Sequence, residues 1–329
     1  MSDYIISEIR DSDTRSRKKQ QELLIQEGID RDGHLDYSVG LFDDDYNIVA
    51  TGSCYRNTLR CMAVSSNHQG EGLMNEVVSH LTEKEMERGY RDLFLYTKVK
   101  SAKFFNDLGF YEIARVEDHL VFMENKRDGF QSYLCNLEKE YVEGDSIAAI
   151  VMNANPFTLG HRYLVEKAAR ENDVVHLFVV SEDISEVPFS IRYDLVKKGV
   201  ADLDNVYVHE SGDYIISSAT FPSYFLKEEG LVAKTHARLD IEIFKRIART
   251  LNITRRYVGT EPLSVTTNLY NEVMKKELNT EDLECVVVPR KENESGVISA
   301  SKVRELIKES NFAELKKYVP ATTYDYYAK

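Results

Sequence analysis

Ala148-Ala149-Ile150-Val151-Met152-Asn153-Ala154-Asn155-Pro156-Phe157-Thr158-Leu159-Gly160-His161 reads as a short apolar strand, a polar turn built on Asn and Pro, and a Gly-His pair that opens a helix. Leu164, Val165, Ala168 and Ala169 then share one face of that helix. A strand that turns straight into a helix start makes an anion site. The first N–H groups of the helix have no partners inside it, and the helix dipole favours negative charge there. Outward from this stretch, apolar strands are expected at 147–152, 174–180, 205–209, 256–259 and 284–288. Amphipathic helices are expected at 160–171, 191–201, 238–251, 263–276 and 301–308. Short, nearly continuous apolar strands alternating with helices predict an α/β domain with a parallel sheet covered on both faces. Ligands bind such sheets beyond the carboxyl ends of the strands, where residues 153–161 and Gly259-Thr260-Glu261-Pro262 both fall.

The first part of the chain reads differently. Residues 4–9 alternate as a strand, 14–26 form a polar helix, and strands follow at 37–42, 48–55 and 59–64, the first two joined by the turn Asp43-Asp44-Asp45-Tyr46-Asn47. Gln69-Gly70-Glu71-Gly72 then leads into an amphipathic helix over 75–88, again a Gly-rich loop whose amides can hold phosphate. A strand at 92–97, the stretch Ser101-Ala102-Lys103-Phe104-Phe105-Asn106-Asp107-Leu108-Gly109-Phe110 and a strand near 120–123 complete a mixed-sheet domain. The polar run Asn125-Lys126-Arg127-Asp128-Gly129 closes it, so the expected division is 1–126, a linker helix within 127–144, and 145–329. Phe130, Tyr133, Leu134 and Leu137 give that linker an apolar face.

Composition sets outer bounds. At 329 residues the chain can build two cores, and 43% hydrophobic with 29% charged residues is ordinary for a water-soluble protein. A formal net charge of −13 argues against nucleic-acid and anionic membrane partners, while permitting a local basic pocket. No apolar run approaches the ~20 residues that span a bilayer. The N-terminus lacks the basic and apolar regions of a secretory signal. Cys54, Cys61, Cys135 and Cys285 form no C-x-x-C pair, so reduced thiols in a cytoplasmic protein are expected. His176 reads as a satisfied core residue, and His68, His209 and His236 lack metal-ligand spacing, so no protein metal site is expected.

Gln69-Gly70-Glu71-Gly72 followed by Ala102, Phe104-Phe105 and Gly109-Phe110 resembles the GCN5-related N-acetyltransferase family. The resemblance implies that Gln69, Gly70 and Gly72 bind the pyrophosphate of a CoA-like arm. Met74 stands where the family usually has a small residue. Phe105 stands where many members carry a tyrosine acid, and Phe105 has no proton to donate. A CoA-like binding module is therefore favoured over an active acetyltransferase.

Asn155-Pro156-Phe157-Thr158-Leu159-Gly160-His161 resembles the (H/T)-x-G-H signature of the nucleotidyltransferase superfamily, and Ile298-Ser299-Ala300-Ser301-Lys302-Val303-Arg304 its second signature, I-S-S-T-x-x-R. Together they imply a Rossmann-like ATP site, with His161, Thr158 and Arg304 as catalytic groups. Its other expected contacts are Asn153, Asn155, Gly160, Ser299, Ser301 and Lys302, with Arg192, Gly259 and Glu261 as further ones and Asn271 a more distant candidate. Charge develops on phosphoryl oxygens and pyrophosphate in such a reaction, so positioned donors can carry the catalysis. Mg²⁺ is expected to ride on the ATP with mostly water ligands.

The two halves, with Pro188-Phe189-Ser190-Ile191-Arg192, His236-Ala237-Arg238-Leu239-Asp240 and Val258-Gly259-Thr260-Glu261-Pro262, resemble the citrate lyase ligase family over essentially the whole chain. That resemblance implies an enzyme that activates acetate with ATP as acetyl adenylate. The acetyl group would pass to the thiol of the CoA-derived prosthetic group on the acyl-carrier subunit of citrate lyase, releasing AMP and pyrophosphate. Three other readings stay open at this level: a nucleotidyltransferase making a dinucleotide or CoA precursor, a bifunctional acetyltransferase drawing on acetyl-CoA, and a regulatory nucleotide-binding protein.

Overall fold

The computed structural model describes residues 4–117, 119–183, 185–215, 221–222, 224, 226, 229–260, 265–279, 282–293 and 296–328. Contacts divide the chain into two compact units. One is Met1–Gly129 with Pro222–Thr235, the other Phe130–Phe221 with His236–Lys329. Residues 222–235 thus group with the first unit, although they sit deep in the second half of the sequence.

The first unit contains β1 (Ile5–Glu8), α1 (Thr14–Gln26), β2 (Tyr37–Phe42), β3 (Ile48–Tyr55), β4 (Thr58–Val64), α2 (Leu73–Glu87), β5 (Phe94–Thr97), α3 (Ala102–Asp107), β6 (Tyr111–Val116) and β7 (Leu120–Glu124). Asp13 caps α1 by accepting from the Ser16 N–H at 3.0 Å. The seven strands form one sheet in the order β1-β2-β3-β4-β5-β7-β6. Strand β3 is buried on both faces. On one face it meets Leu23 and Leu24 of α1, on the other Val77 and Leu81 of α2. Gly52 permits the second contact, since a Cβ there would come within 2.6 Å of Val77 and 2.8 Å of Leu81. The parallel pair β4–β5 is joined only at Thr58↔Phe94 and Leu59↔Leu95, after which the two strands separate. That split is the main irregularity of the sheet.

The second unit contains α4 (Gly129–Glu138), β8 (Ile147–Met152), α5 (Leu159–Glu171), β9 (Val174–Val179), α6 (Phe189–Gly199), β10 (Val206–Glu210), α7 (Glu229–Thr250, of which the part up to Thr235 groups with the first unit), β11 (Arg255–Gly259), α8 (Val265–Leu278) and β12 (Glu284–Val288). It ends with β13 (Glu292–Asn293), β14 (Gly296–Val297), α9 (Ala300–Lys308), α10 (Phe312–Leu315) and α11 (Ala321–Tyr327). Five strands form an all-parallel sheet in the order β10-β9-β8-β11-β12, as the alternating pattern predicts. Ala148, Ile150, Met152, Val175, Leu177 and Val179 face Val165 and Ala168 of α5 and Leu195 and Val196 of α6. Helix α7 starts well before the expected residue 238. Gly230 falls in the first turn of this helix. Among the described residues, no helix is long and apolar enough to cross a membrane.

Polar side chains are buried in this unit as well as apolar ones. Arg256 of β11 and Asp240 of α7 pair at 2.6 Å with both side chains 4% exposed, and the guanidinium lies 4.3 Å from the Phe244 ring centre. His176, expected to be satisfied, is so at one nitrogen only. Its Nδ1 lies 2.8 Å from Nε2 of His209, whose Nδ1 lies 2.7 Å from a Glu140 carboxylate oxygen. The carboxylate accepts, so His209 donates from Nδ1 and its Nε2 accepts from His176. Nε2 of His176 is then a buried lone pair with no partner. Burial, reinforced by His209, pushes the His176 imidazole down to about 4, so it is neutral at pH 7.

Removing one member of the Asp240–Arg256 pair strands a buried charge. Asp240→Ala should cost about 3–5 kcal/mol of unfolding free energy in urea titrations, and a double apolar replacement should recover most of it.

Candidate active site

The turn between β8 and α5 is shaped by its neighbours. Ala154 adopts φ +49°, a left-handed value that lets the chain reverse immediately after the strand. Arg192, fully buried on α6, donates to the carbonyls of Asn153, Val180, Glu182 and Val187. Its guanidinium is thus engaged in tying three loop segments together behind the turn. The Asn153 side chain hydrogen-bonds Ser185, and the Asn155 side-chain oxygen accepts from the Val187 N–H at 3.2 Å. Thr323 of α11 donates to the Phe157 carbonyl at 3.0 Å, and the Leu159 N–H donates to the Tyr318 carbonyl at 2.8 Å.

Thr158 is the N-cap of α5. Its hydroxyl oxygen accepts from the His161 N–H at 3.2 Å, and its own N–H donates to Nδ1 of His161 at 3.1 Å. This reciprocal cap spends the Thr158 side chain on the helix start, and Thr158 is only 2% exposed. It also settles the tautomer of His161. With Nδ1 accepting, the neutral ring carries its proton on Nε2, the nitrogen outside the cap. Burial, and after it the positive charge of Arg290, pushes this imidazole down to about 4. At neutral pH His161 is an uncharged hydrogen-bond donor.

Gly160 brings the two distant motifs together. A Cβ on Gly160 would lie 3.3 Å from the Ile298 carbonyl oxygen, so the first turn of α5 rests against the residue preceding Ser299. Ser299 caps α9 by accepting from the Lys302 N–H at 3.2 Å. From α9, Arg304 donates to the Asn155 carbonyl at 2.7 Å and to the Ser301 hydroxyl at 3.1 Å, and pairs with Glu186 at 3.6 Å. Two helix starts and one arginine therefore border the same turn. Lys302 extends to Glu305 at 2.7 Å and is half exposed. Gly259 closes β11, and its carbonyl accepts from Asn271 of α8 at 3.0 Å. Glu261 lies outside the described residues.

Neither motif contains Thr260 or Arg290. Thr260 follows β11, and Arg290 follows β12 by two residues. The Arg290 N–H donates to the Thr260 hydroxyl at 3.1 Å and its Nε to the Thr260 carbonyl at 2.7 Å. A lone Pro-Arg after a strand offers no signal by which sequence could single it out.

In the first unit, a cavity of about 600 Å³ fills the split between β4 and β5. Met62 and Val64 line it from β4, and Tyr96 and Thr97 from β5. Gln69, Gly70 and Gly72 of the Gly-rich loop border it, together with Phe104 and Phe105 of α3. Gly70 and Gly72 take φ +90° and +81°, where a side chain would strain the loop and no atom lies within 4 Å of the missing Cβ. Burial raises the Cys61 thiol to about 12, and Cys54 also titrates far above its ordinary range, so neither is a ready nucleophile.

Residues 147–327 match the family described as citrate lyase ligase C-terminal domain, and residues 4–110 match the acetyltransferase (GNAT) family. The chain is 37% identical to a [citrate [pro-3S]-lyase] ligase of Haemophilus influenzae, with 94% of each chain covered. It is 43% identical to the enzyme of that name from Klebsiella pneumoniae, over 84% of this chain and 82% of the relative. A shorter similarity, 31% identity over 22% of this chain and 46% of the relative, links it to a phosphopantetheine adenylyltransferase of Staphylococcus carnosus. The chain belongs to the citrate lyase ligase family of enzymes.

The cap geometry makes a direct prediction about His161. Imidazole ¹⁵N spectra should show the Nε2–H tautomer throughout pH 5–9, with protonation setting in only near pH 4. Because the folded value is depressed, the associated stabilisation is present above the ordinary histidine pKa of about 6.5 and is lost as pH falls through the folded value. A midpoint near 6.5 in the folded chain would refute this geometry.

Proposed function

We propose, with family membership as the premise, that the second unit activates acetate with ATP. The acetate carboxylate oxygen attacks the α-phosphorus, the bond to the bridging oxygen breaks, and acetyl adenylate and pyrophosphate form. The carrier thiol then adds to the acetyl carbonyl, and AMP leaves as the thioester forms. The acceptor is the thiol of the CoA-derived group on the acyl-carrier subunit of citrate lyase, and the reaction runs in the cytoplasm.

The observation that carries this reading is the seat of Gly160 against the Ile298 carbonyl. It supports one anion site built from the starts of both α5 and α9, whose N–H groups and dipoles suit a polyphosphate. His161 donates from Nε2 to a phosphoryl oxygen. Arg304, already oriented by the Asn155 carbonyl and Ser301, meets the charge that grows on the phosphates. Thr158 and Arg192 act one step back: the first orients His161, the second shapes the turn. Mg²⁺ arrives with ATP as its counter-ion. Fixed donors suit this chemistry because they need no reorganisation while charge develops. The adenylyltransferase name borne by the Staphylococcus carnosus relative supports the same reaction class.

For the first unit, we propose that the cavity between β4 and β5 grips the CoA-like arm, with Gln69, Gly70 and Gly72 at its pyrophosphate. Phe105 offers no acid for acetyl transfer from acetyl-CoA, which supports a holding role.

Acetate-dependent exchange of labelled pyrophosphate into ATP tests the first half-reaction. Arg304→Ala and His161→Ala should each lower it by about 100-fold, the loss typical of a positioned transition-state donor. Normal exchange in Arg304→Ala would remove the adenylation assignment. Gln69→Glu and Phe104→Glu should leave exchange intact but slow thioester formation on the deacetylated carrier. Unimpaired transfer in both would remove the gripping role.

A further inference from the structure

We infer that Arg290 is a further catalytic residue of the adenylation step, binding nucleotide phosphate oxygens beside His161, and that Thr260 positions it. The inference rests on the acyl-adenylate reading above.

Location is the first ground. Strands β8, β11 and β12 are neighbours in the parallel sheet, with Tyr257 level with Ile150 and Gly259 level with Val288. The turn carrying His161, then Thr260, then Arg290 emerge from the carboxyl ends of these three strands, the edge at which such sheets bind ligands. A chain of contacts ties the Arg290 segment to the first turn of α5. The Lys291 carbonyl accepts from the Ile298 N–H at 3.1 Å, and the Ile298 carbonyl lies against Gly160. The Lys291 ammonium sits 5.7 Å from the centre of the Tyr163 ring, two residues past His161.

Preorganisation is the second. Thr260 donates its N–H to the Val288 carbonyl at 2.9 Å, accepts the Arg290 N–H at its hydroxyl and receives Nε at its carbonyl. These contacts hold both the backbone and the guanidinium plane of Arg290, so part of the entropy of aiming a long side chain is lost on folding rather than on binding.

Charge is the third. A triphosphate draws on each cation at its border. Arg290 is half-buried, and burial lowers its pKa without bringing a guanidinium near neutrality at pH 7. A partly desolvated cation acts on a phosphate more strongly than one in open water.

The test uses the full chain, with acetate-dependent pyrophosphate exchange and imidazole NMR. Arg290→Gln should lower the exchange kcat by about 100-fold, comparable to removing one transition-state donor, with the KM for acetate unchanged. Arg290→Lys should recover part of the loss, and Thr260→Val, which removes one anchor, should fall between wild type and Arg290→Gln. The His161 pKa should rise in Arg290→Gln, which reports that the guanidinium stands beside the imidazole, while the kcat loss and its partial recovery by Arg290→Lys report its role in the reaction. Should Arg290→Gln fail to fold by circular dichroism, Arg290→Lys and Thr260→Val carry the same test. Undiminished exchange in the folded variants, or a loss confined to the KM for acetate, would overturn the inference while leaving the adenylation reading standing. A wild-type chain without acetate-dependent exchange would overturn the reading itself.

Discussion

The absence of one side chain sets the geometry of the second unit. Because Gly160 carries no Cβ, the first turn of α5 can rest on the backbone at Ile298, and two helix starts far apart in sequence share one border. Other features of the site serve that approach. The Thr158 cap spends its hydroxyl on α5 so that the helix begins where it must. Arg192 gives up its guanidinium to loop carbonyls, and α11 pins the Phe157 carbonyl through Thr323. An alanine at position 160 would have to push Ile298 back by a few tenths of an ångström, a distance that matters where hydrogen bonds to a reacting group are formed.

The electrostatics of this border rest on dipoles before full charges. His161 is neutral, held so chiefly by burial, and contributes a directed N–H rather than a cation. Helix N-termini contribute partial charges that cannot move away. The full charges stand around them on short tethers: Arg304 on Asn155 and Ser301, Arg290 on Thr260. Such a site changes little in charge across neutral pH, and the carboxylates that enter it, Glu186 and Glu305, do so paired with Arg304, Lys308 and Lys302.

Much of this was legible in the sequence, for identifiable reasons. The apolar run 147–152 and its Asn-Pro turn define β8 and the start of α5 because periodicity and punctuation agree there. The polar helical stretch over 14–26 matches α1 residue for residue. The parallel sheet followed from β-branched strands buried on both faces. What stayed hidden depends on register or on distance in the chain. That His176 meets His209 is decided by how β9 and β10 align. A phosphate-binding arginine and one buried among carbonyls are the same letter, so Arg192 could be nominated but its contacts could not be foreseen. Arg290 carries no local signal, because its partner Thr260 lies thirty positions earlier. The hairpin β13–β14 and helices α10 and α11 are too short to show a period.

The split between β4 and β5 has a consequence of another kind. A sheet normally keeps its unpaired N–H and C=O groups at its two outer margins, where proteins blunt them against stray strands. Here the two strands share a ladder for two residue pairs and then part, so the sheet has an inner margin as well. The walls of that margin are two parallel strands. An extended group with amide-like donors and acceptors along its length complements such a margin, whereas a helix, whose own backbone groups are already paired, does not.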